Sequence, residues 1–479
     1  MGRKRGPALG EGMSMGSSHH SVTSERICVI GAGLAGLSAA YDLGRWGYDV
    51  VVLEAGEVVG GLAGSITVAG RKIERFYHFI CKGDQDLLDL VAELDLEEQL
   101  HWQLSNTSFY YHGRSYGFGS PIDLLRFSPV PWLQRIRFGW NVIDSRFRRQ
   151  WQRLDDVAAR SWLIDRIGQK AYDVIWDPLL RVKFGEYHDQ VSAAWIWHRI
   201  HRVASSRRRF WEKDYFGYLE GGSETVIEGL LNRLRRMPNV EIRTGAAVER
   251  ILSEGGRVSG VLLKGENQPM ACRDLVSTIA LPALLKLAPD LPDDYRSKLS
   301  QIEYLGVVCG LVKVRQPLTQ SFWVNINDPS IPFNGVIEYS NLNKHLGMGN
   351  SAIVYVPYYL HRAVPRFHFS DDQLVAEFVA GFKRISPEFD ESWIEEVHVS
   401  RASHAQAICS IGFSKLVPKH EAPLEGLYIT DSTQYYPEDR TISAAIRLGR
   451  RVATMIDANR EDGGMGDTLS REIPAYERS

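Results

Sequence analysis

Cysteine is scarce in this chain, and no two of the five are spaced as a CxxC pair. Cys28, Cys81, Cys272, Cys309 and Cys409 are scattered, which argues against a cysteine-built zinc site or a disulfide framework and fits a reducing cytoplasm. Charge of one sign is also lacking. The 479 residues carry a formal net charge of −2, so no global field pulls the molecule toward nucleic acid, and any electrostatic targeting has to be local. Long apolar runs are missing: none approaches the roughly 18 residues of a membrane-spanning helix. The opening stretch MGRKRGPALGEGMSMGSSHHSVTSE has basic residues with no apolar core behind them, so it does not read as a secretory signal. Residues 1–24 and 461–479 are expected to be polar, disordered tails, with His19 and His20 incidental, and no metal site is expected.

What is present is an ordinary globular composition, 44% hydrophobic, in a chain long enough for two or three packed domains. Its strongest local signal is ICVIGAGLAGLSAAYDLGRWGYDVVVLEAGEVVGGLAGS, residues 27–65. A short apolar run suits a buried parallel strand. A helical pattern follows, and then a second apolar run ending on Glu54. In this βαβ unit Gly31 makes the tight turn, Gly33 lets backbone approach a pyrophosphate, and Gly36 lets helix and strand pack closely. The diphosphate is expected over the helix N-terminus at Gly33–Ala35, where free N–H groups and the helix dipole favour negative charge. Glu54, 18 residues past Gly36, is placed to accept hydrogen bonds from ribose hydroxyls. A second glycine pair, Gly60 and Gly61, brings further backbone N–H groups toward the phosphates, which suits an extended FAD better than NAD.

These residues resemble the superfamily of flavin amine oxidases, protoporphyrinogen oxidases and phytoene desaturases, to which UDP-galactopyranose mutase is related. Three later segments follow the same order: 217–251, 274–289 and 426–456. The resemblance implies an α/β fold with a Rossmann-like, GR2-type FAD domain assembled from residues 25–80, 217–290 and 424–460. A mixed α+β substrate domain would then come from 81–216 and 291–423. It also implies backbone contact of Val248 with adenine, Asp431 near the ribityl chain, and a helix starting at Ile442 facing the flavin pyrimidine. Two positions depart from the family pattern. Thr430 stands where relatives usually carry glycine, and Leu62 where many carry an arginine that pairs with the diphosphate, which implies FAD held either less tightly or by a different basic residue.

The features of amine oxidation are thinner. The family's lysine position falls on Gly310, with Lys313 further along, and one member of the aromatic pair falls near Thr441. Cys409 lacks the glycine-rich context of a flavin-bonded cysteine, so noncovalent FAD is expected. Lys183, Glu338 and Arg440 are polar residues in apolar surroundings and need partners or a role, which makes them candidate catalytic groups or structural ion pairs. His78, in IERFYHFICKGD, occupies a place similar to a mutase histidine and is a candidate proton shuttle.

The segment 126–213 is unusual. It holds eight of the twelve tryptophans and 18 Arg and Lys against 9 Asp and Glu. It reads as a basic helical insertion with three open roles: core packing, contact with an anionic membrane surface, or a groove for an anionic or lipid-linked substrate. The leading expectation is a cytoplasmic FAD-dependent oxidoreductase that removes hydride from a C–N, C–C or C–O bond of a small molecule, with peripheral contact at the inner membrane face left open. The alternatives are a net non-redox flavin enzyme acting on a nucleotide sugar, and a flavin-fold binding protein without catalysis.

Overall fold

The structure, a computed structural model, describes residues 25–206 and 213–462. Five parallel strands form one sheet, in the order Leu427–Ile429, Asp274–Ser277, Ile27–Ile30, Val50–Leu53, Val240–Arg243. Both faces of the sheet are covered, one by helices and the other by an antiparallel sheet of Val248–Glu254, Arg257–Leu263 and Met270–Ala271 together with helix Leu281–Leu287. This is why Ile27–Ile30 and Val50–Leu53 are apolar at every position instead of alternating. The strands come from distant stretches of chain, as the sequence segments imply. Helices Leu34–Arg45, Ser223–Leu234 and Ile442–Asp462 share one apolar core with Val29, Val52 and Val276, through Leu37, Leu230 and Val452 among others.

Helix Gln85–Glu93 joins this same core through Leu87, Leu90 and Val91.

Close backbone approach fixes the geometry. Gly31 adopts φ +101°, which makes the turn after the first strand. A Cβ on Gly36 would lie 2.0 Å from the Gly31 carbonyl oxygen and 3.2 Å from Val29 Cγ1, so the helix can lie this close to its strand only with glycine there. Gly449 repeats the device one layer out. A Cβ there would sit 2.1 Å from the Ala35 carbonyl oxygen, where the C-terminal helix crosses the first one.

The second sheet has seven strands in the order Ile394–Ala407, Tyr304–Val314, Ala352–His361, Gly335–Glu338, Trp323–Ile326, Thr107–Tyr111, Arg114–Gly117. All its pairings are antiparallel except Trp323–Ile326 with Thr107–Tyr111. Helix Asp371–Ile385 packs Phe378 and Phe382 into a core with Val312, Val354 and Val356 of this sheet.

The basic insertion is helical, with Trp132–Phe147, Ala159–Ile167, Asp177–Phe184 and Ala193–Ser206 as its main helices. Its tryptophans divide. Trp162, Trp176, Trp195 and Trp197 are buried, Trp151 is half-buried, and Trp132 and Trp140 are exposed. Trp211 lies outside the described residues, as do residues 1–24, with His19 and His20, and residues 463–479.

Gly449→Ala is expected to lower stability by about 1–3 kcal/mol, the usual cost of overpacking against atoms that cannot move aside. Gly83→Ala, where a Cβ would meet nothing within 4 Å, serves as the near-neutral control. Urea unfolding of the two variants compares them directly.

Candidate active site

A cavity of about 610 Å³ opens at the carboxyl ends of the parallel strands. Gly31, Glu54, Thr278 and Thr430 each directly follow one of those strands, and all four line it. Ligands of open α/β sheets bind at this edge.

At one end, Gly31, Gly33, Leu34 and Ala35 form the wall. Helix Leu34–Arg45 begins here with no side-chain cap and no acidic residue in its first turn. Its first N–H groups therefore keep their donor capacity and the positive end of the helix dipole for something in the cavity. The second glycine pair interlocks with this turn. Gly60 N–H donates to the Ala32 carbonyl at 2.8 Å, and a Cβ on Gly61 would lie 3.2 Å from Gly33 Cα. Glu54 braces the first loop and its own turn: Oε2 accepts from Ala32 N–H and Oε1 from Gly56 N–H, both at 2.9 Å. Each oxygen keeps a second lone pair with which it could accept from a ligand hydroxyl. Leu62 lines the cavity. Arg75 donates to the Gly61 carbonyl, holding the loop without itself lining the cavity.

The middle of the cavity is closed by Asp431 and Ile442, the latter opening the long C-terminal helix. Asp431 Oδ1 accepts from Thr433 N–H at 2.8 Å and from the Tyr304 hydroxyl at 2.9 Å. Burial pushes its carboxyl above the usual aspartate range, against the pull of these hydrogen bonds.

The other end is aromatic and charged. Lys183, from helix Asp177–Phe184 of the insertion, brings Nζ to 4.6 Å from the centre of the Trp195 ring and 4.7 Å from that of Tyr359. Burial lowers the Lys183 pKa to about 7, with Asp439 pulling the other way. Arg440 Nη2 donates to the Tyr359 hydroxyl at 3.0 Å, which is 3.0 Å from the Tyr77 hydroxyl. Asp439 accepts from Arg199 Nη1 at 2.8 Å and from Gln406 Nε2 at 3.0 Å. Burial raises its pKa, but Lys183, Arg199, Arg440 and Arg202 together hold it down at about 2.

Three of the four candidate catalytic residues thus share one cavity: His78, Lys183 and Arg440. His78 Nδ1 lies 3.6 Å from the buried Glu74 carboxylate. Glu338 does not line the cavity. It is fully buried in the second sheet, where Oε2 accepts from Thr319 N–H and its hydroxyl at 2.8 and 3.1 Å, and burial raises its pKa to about 7. The strand's pleat explains this, since Gly335 meets the cavity while Glu338 points its carboxyl elsewhere. Among the candidate cofactor residues, Gly36 serves the packing described above, and Val248 sits at a strand start off the cavity wall.

The absences read from sequence have structural reasons. A Cβ at Gly310 would lie 2.3 Å from the Phe378 ring, so no lysine fits there, and Lys313 is ion-paired to Glu395 at 2.8 Å. Cys409 is buried away from the cavity, with burial pushing its thiol pKa up. Sequence reading misses Tyr77, Tyr359, Asp439 and Arg199. Asp439, next to Arg440, and Tyr77, next to His78, carry a local signal, and Tyr359 and Arg199 carry none. Outside the cavity, His101, Glu220 and His345 each place a potential metal-ligand atom within 4.8 Å of the others.

Residues 34–456 match the family of flavin containing amine oxidoreductases, and the chain belongs to that family. It is 22% identical over 291 residues to the 15-cis-phytoene desaturase of Synechococcus elongatus, covering 55% of this chain and 60% of that one. To the mitochondrial protoporphyrinogen oxidase of Nicotiana tabacum it is 27% identical over 183 residues, covering 37% and 36%. The matched stretches span less than two thirds of either relative. Reduced UDP-galactopyranose mutase superposes with a TM-score of 0.71 at 16% identity, over 91% of this chain and 96% of that one, a likeness of fold.

Lys183 offers a direct check on the site's electrostatics. Its folded pKa of about 7 lies below the ordinary lysine value of 10.5, so between those limits the unfolded chain binds more protons. Stability should therefore rise with pH across that window. Lys183→Met is expected to flatten this rise in urea unfolding measured from pH 7 to pH 10, and parallel curves for the two proteins would contradict the assignment.

Proposed function

We propose that this protein is an FAD-dependent oxidoreductase that removes hydride from a C–N, C–C or C–O bond of a small molecule, with the flavin held noncovalently. One observation carries the reading: a single cavity joins an uncapped helix N-terminus to the Lys183, Tyr359 and Arg440 cluster. Gly31, Gly33, Gly60 and Gly61 present main chain to the cavity, which fits a diphosphate held by backbone N–H groups. Glu54 fits a ribose, and Asp431 with the start of the Ile442 helix fits the flavin end. When bound, FAD supplies the hydride acceptor. The chain supplies the rest. Lys183, kept near neutrality by burial, is an amine able to take a proton from the bond being oxidised. Arg440, Tyr359 and Tyr77 form a hydrogen-bonded row that orients a polar group of the substrate. Trp176, Trp323 and Phe138 wall the same space with apolar surface and exclude water.

Purified protein is expected to show the visible flavin bands, and acid precipitation to release intact FAD into the supernatant. Colourless protein that takes up no FAD overturns the proposal. Bleaching by a candidate substrate without added reductant supports net oxidation. Activity that needs prior reduction and consumes no reductant points instead to a transfer of the mutase kind. Glu54→Gln replaces an acceptor of two backbone N–H groups with an amide, and should weaken FAD affinity by about tenfold, the ~1–3 kcal/mol scale of one lost buried acceptor. Fluorescence titration of the FAD-free protein measures it.

A further inference from the structure

We propose that the helices Pro121–Arg126 and Trp132–Phe147 form a docking surface for an anionic phospholipid bilayer. The described residues expose eleven large hydrophobic side chains, and seven of them belong to this short stretch. Trp132, Trp140 and Phe147 are 68%, 65% and 74% exposed, and Ile122, Leu125, Leu133 and Ile136 accompany them. Single exposed apolar residues are normal on a protein, but a cluster of this size marks a surface that meets something. A basic fringe indicates what it meets. Arg126, Arg146, Arg149 and Arg153 have no hydrogen-bond or ion-pair partner among the described residues. The acids of the same stretch are committed: Asp123 is hydrogen-bonded to Ser120, and Asp144 is ion-paired with Arg148 and Arg166. The face therefore presents apolar bulk with uncompensated positive charge, the pattern of an interfacial helix on anionic lipid. Tryptophan suits that depth, with its apolar ring in the acyl boundary and its N–H among headgroups. No helix of the described residues is long and apolar enough to cross a membrane. The opposite face of Trp132–Phe147 gives Phe138 and Val142 to the cavity wall, so this one helix stands between the surface and the site.

The test is co-sedimentation of the full-length protein with phosphatidylcholine vesicles made with and without phosphatidylglycerol. Binding is expected with the anionic lipid at low salt and should weaken as salt rises. Trp132→Ser with Trp140→Ser should reduce it by about tenfold or more, because buried indole surface supplies the apolar share. Arg149→Glu with Arg153→Glu should remove the preference for the anionic vesicles. Brominated lipid should quench the tryptophan fluorescence of the parent more than that of the double tryptophan variant. These side chains are at or near the surface, so circular dichroism should show both variants folded, and vesicle binding is read without reference to flavin content. No co-sedimentation at low salt, or binding unchanged in the tryptophan variant, overturns the proposal. Self-association in sedimentation velocity, lost in the same variant and without vesicle binding, would overturn it too and assign the face to a second copy of the chain.

Discussion

Backbone pressed against backbone is the constraint from which the rest of this molecule follows. The first helix lies so close to its strand that Gly36 has no room for a Cβ beside the Gly31 carbonyl, and the C-terminal helix lies so close to the first that Gly449 has none beside Ala35. The second of these contacts joins segments more than four hundred residues apart in the chain. The two contacts also leave the amino end of helix Leu34–Arg45 open to the cavity, uncapped by any side chain. A helix end left that way keeps its donors and its dipole for a ligand. The Gly60 N–H then holds the second glycine loop against the first through the Ala32 carbonyl, and Glu54 braces the first loop through the Ala32 N–H.

The two ends of the cavity are made by different means. The glycine end depends on main chain, and its chemistry is positive partial charge from N–H groups. The far end depends on side chains from three sources: Lys183 from the helical insertion, Tyr359 from the seven-stranded sheet, and Asp439 and Arg440 from the turn before the last helix. Burial there sets the protonation states. Lys183 is held near neutrality, while the surrounding cations keep Asp439 ionised even though it is buried. In the proposed reaction it is the Lys183 amine, with its pKa lowered to about 7 by burial, that takes the proton.

How much of this is legible in the sequence differs between the two ends, for a physical reason. Glycine spacing, apolar strands and a terminal acid specify a local backbone path, so Gly31, Gly33, Ala35, Glu54, Gly60 and Gly61 can be picked out from their order along the chain. The parallel sheet follows from fully apolar strands, and the C-terminal segment from its likeness to the family's flavin turn. Lys183 and Glu338 carry the same sequence signal, a charge embedded among apolar residues. One enters the cavity and the other is buried against Thr319. Local pattern does not distinguish these fates, because only the tertiary path decides which buried surface is left unfilled. The pairing of Tyr77 with Tyr359 is invisible for the same reason. Their hydroxyls meet across 282 residues, with no spacing to announce it.

A crystal structure grown with FAD tests the central claim most directly. The account predicts the diphosphate lying over the first turn of helix Leu34–Arg45, between Gly33 and the Gly60–Gly61 loop, with the ribose at Glu54. Density for the cofactor elsewhere on the molecule, or none at saturating concentration, would contradict it.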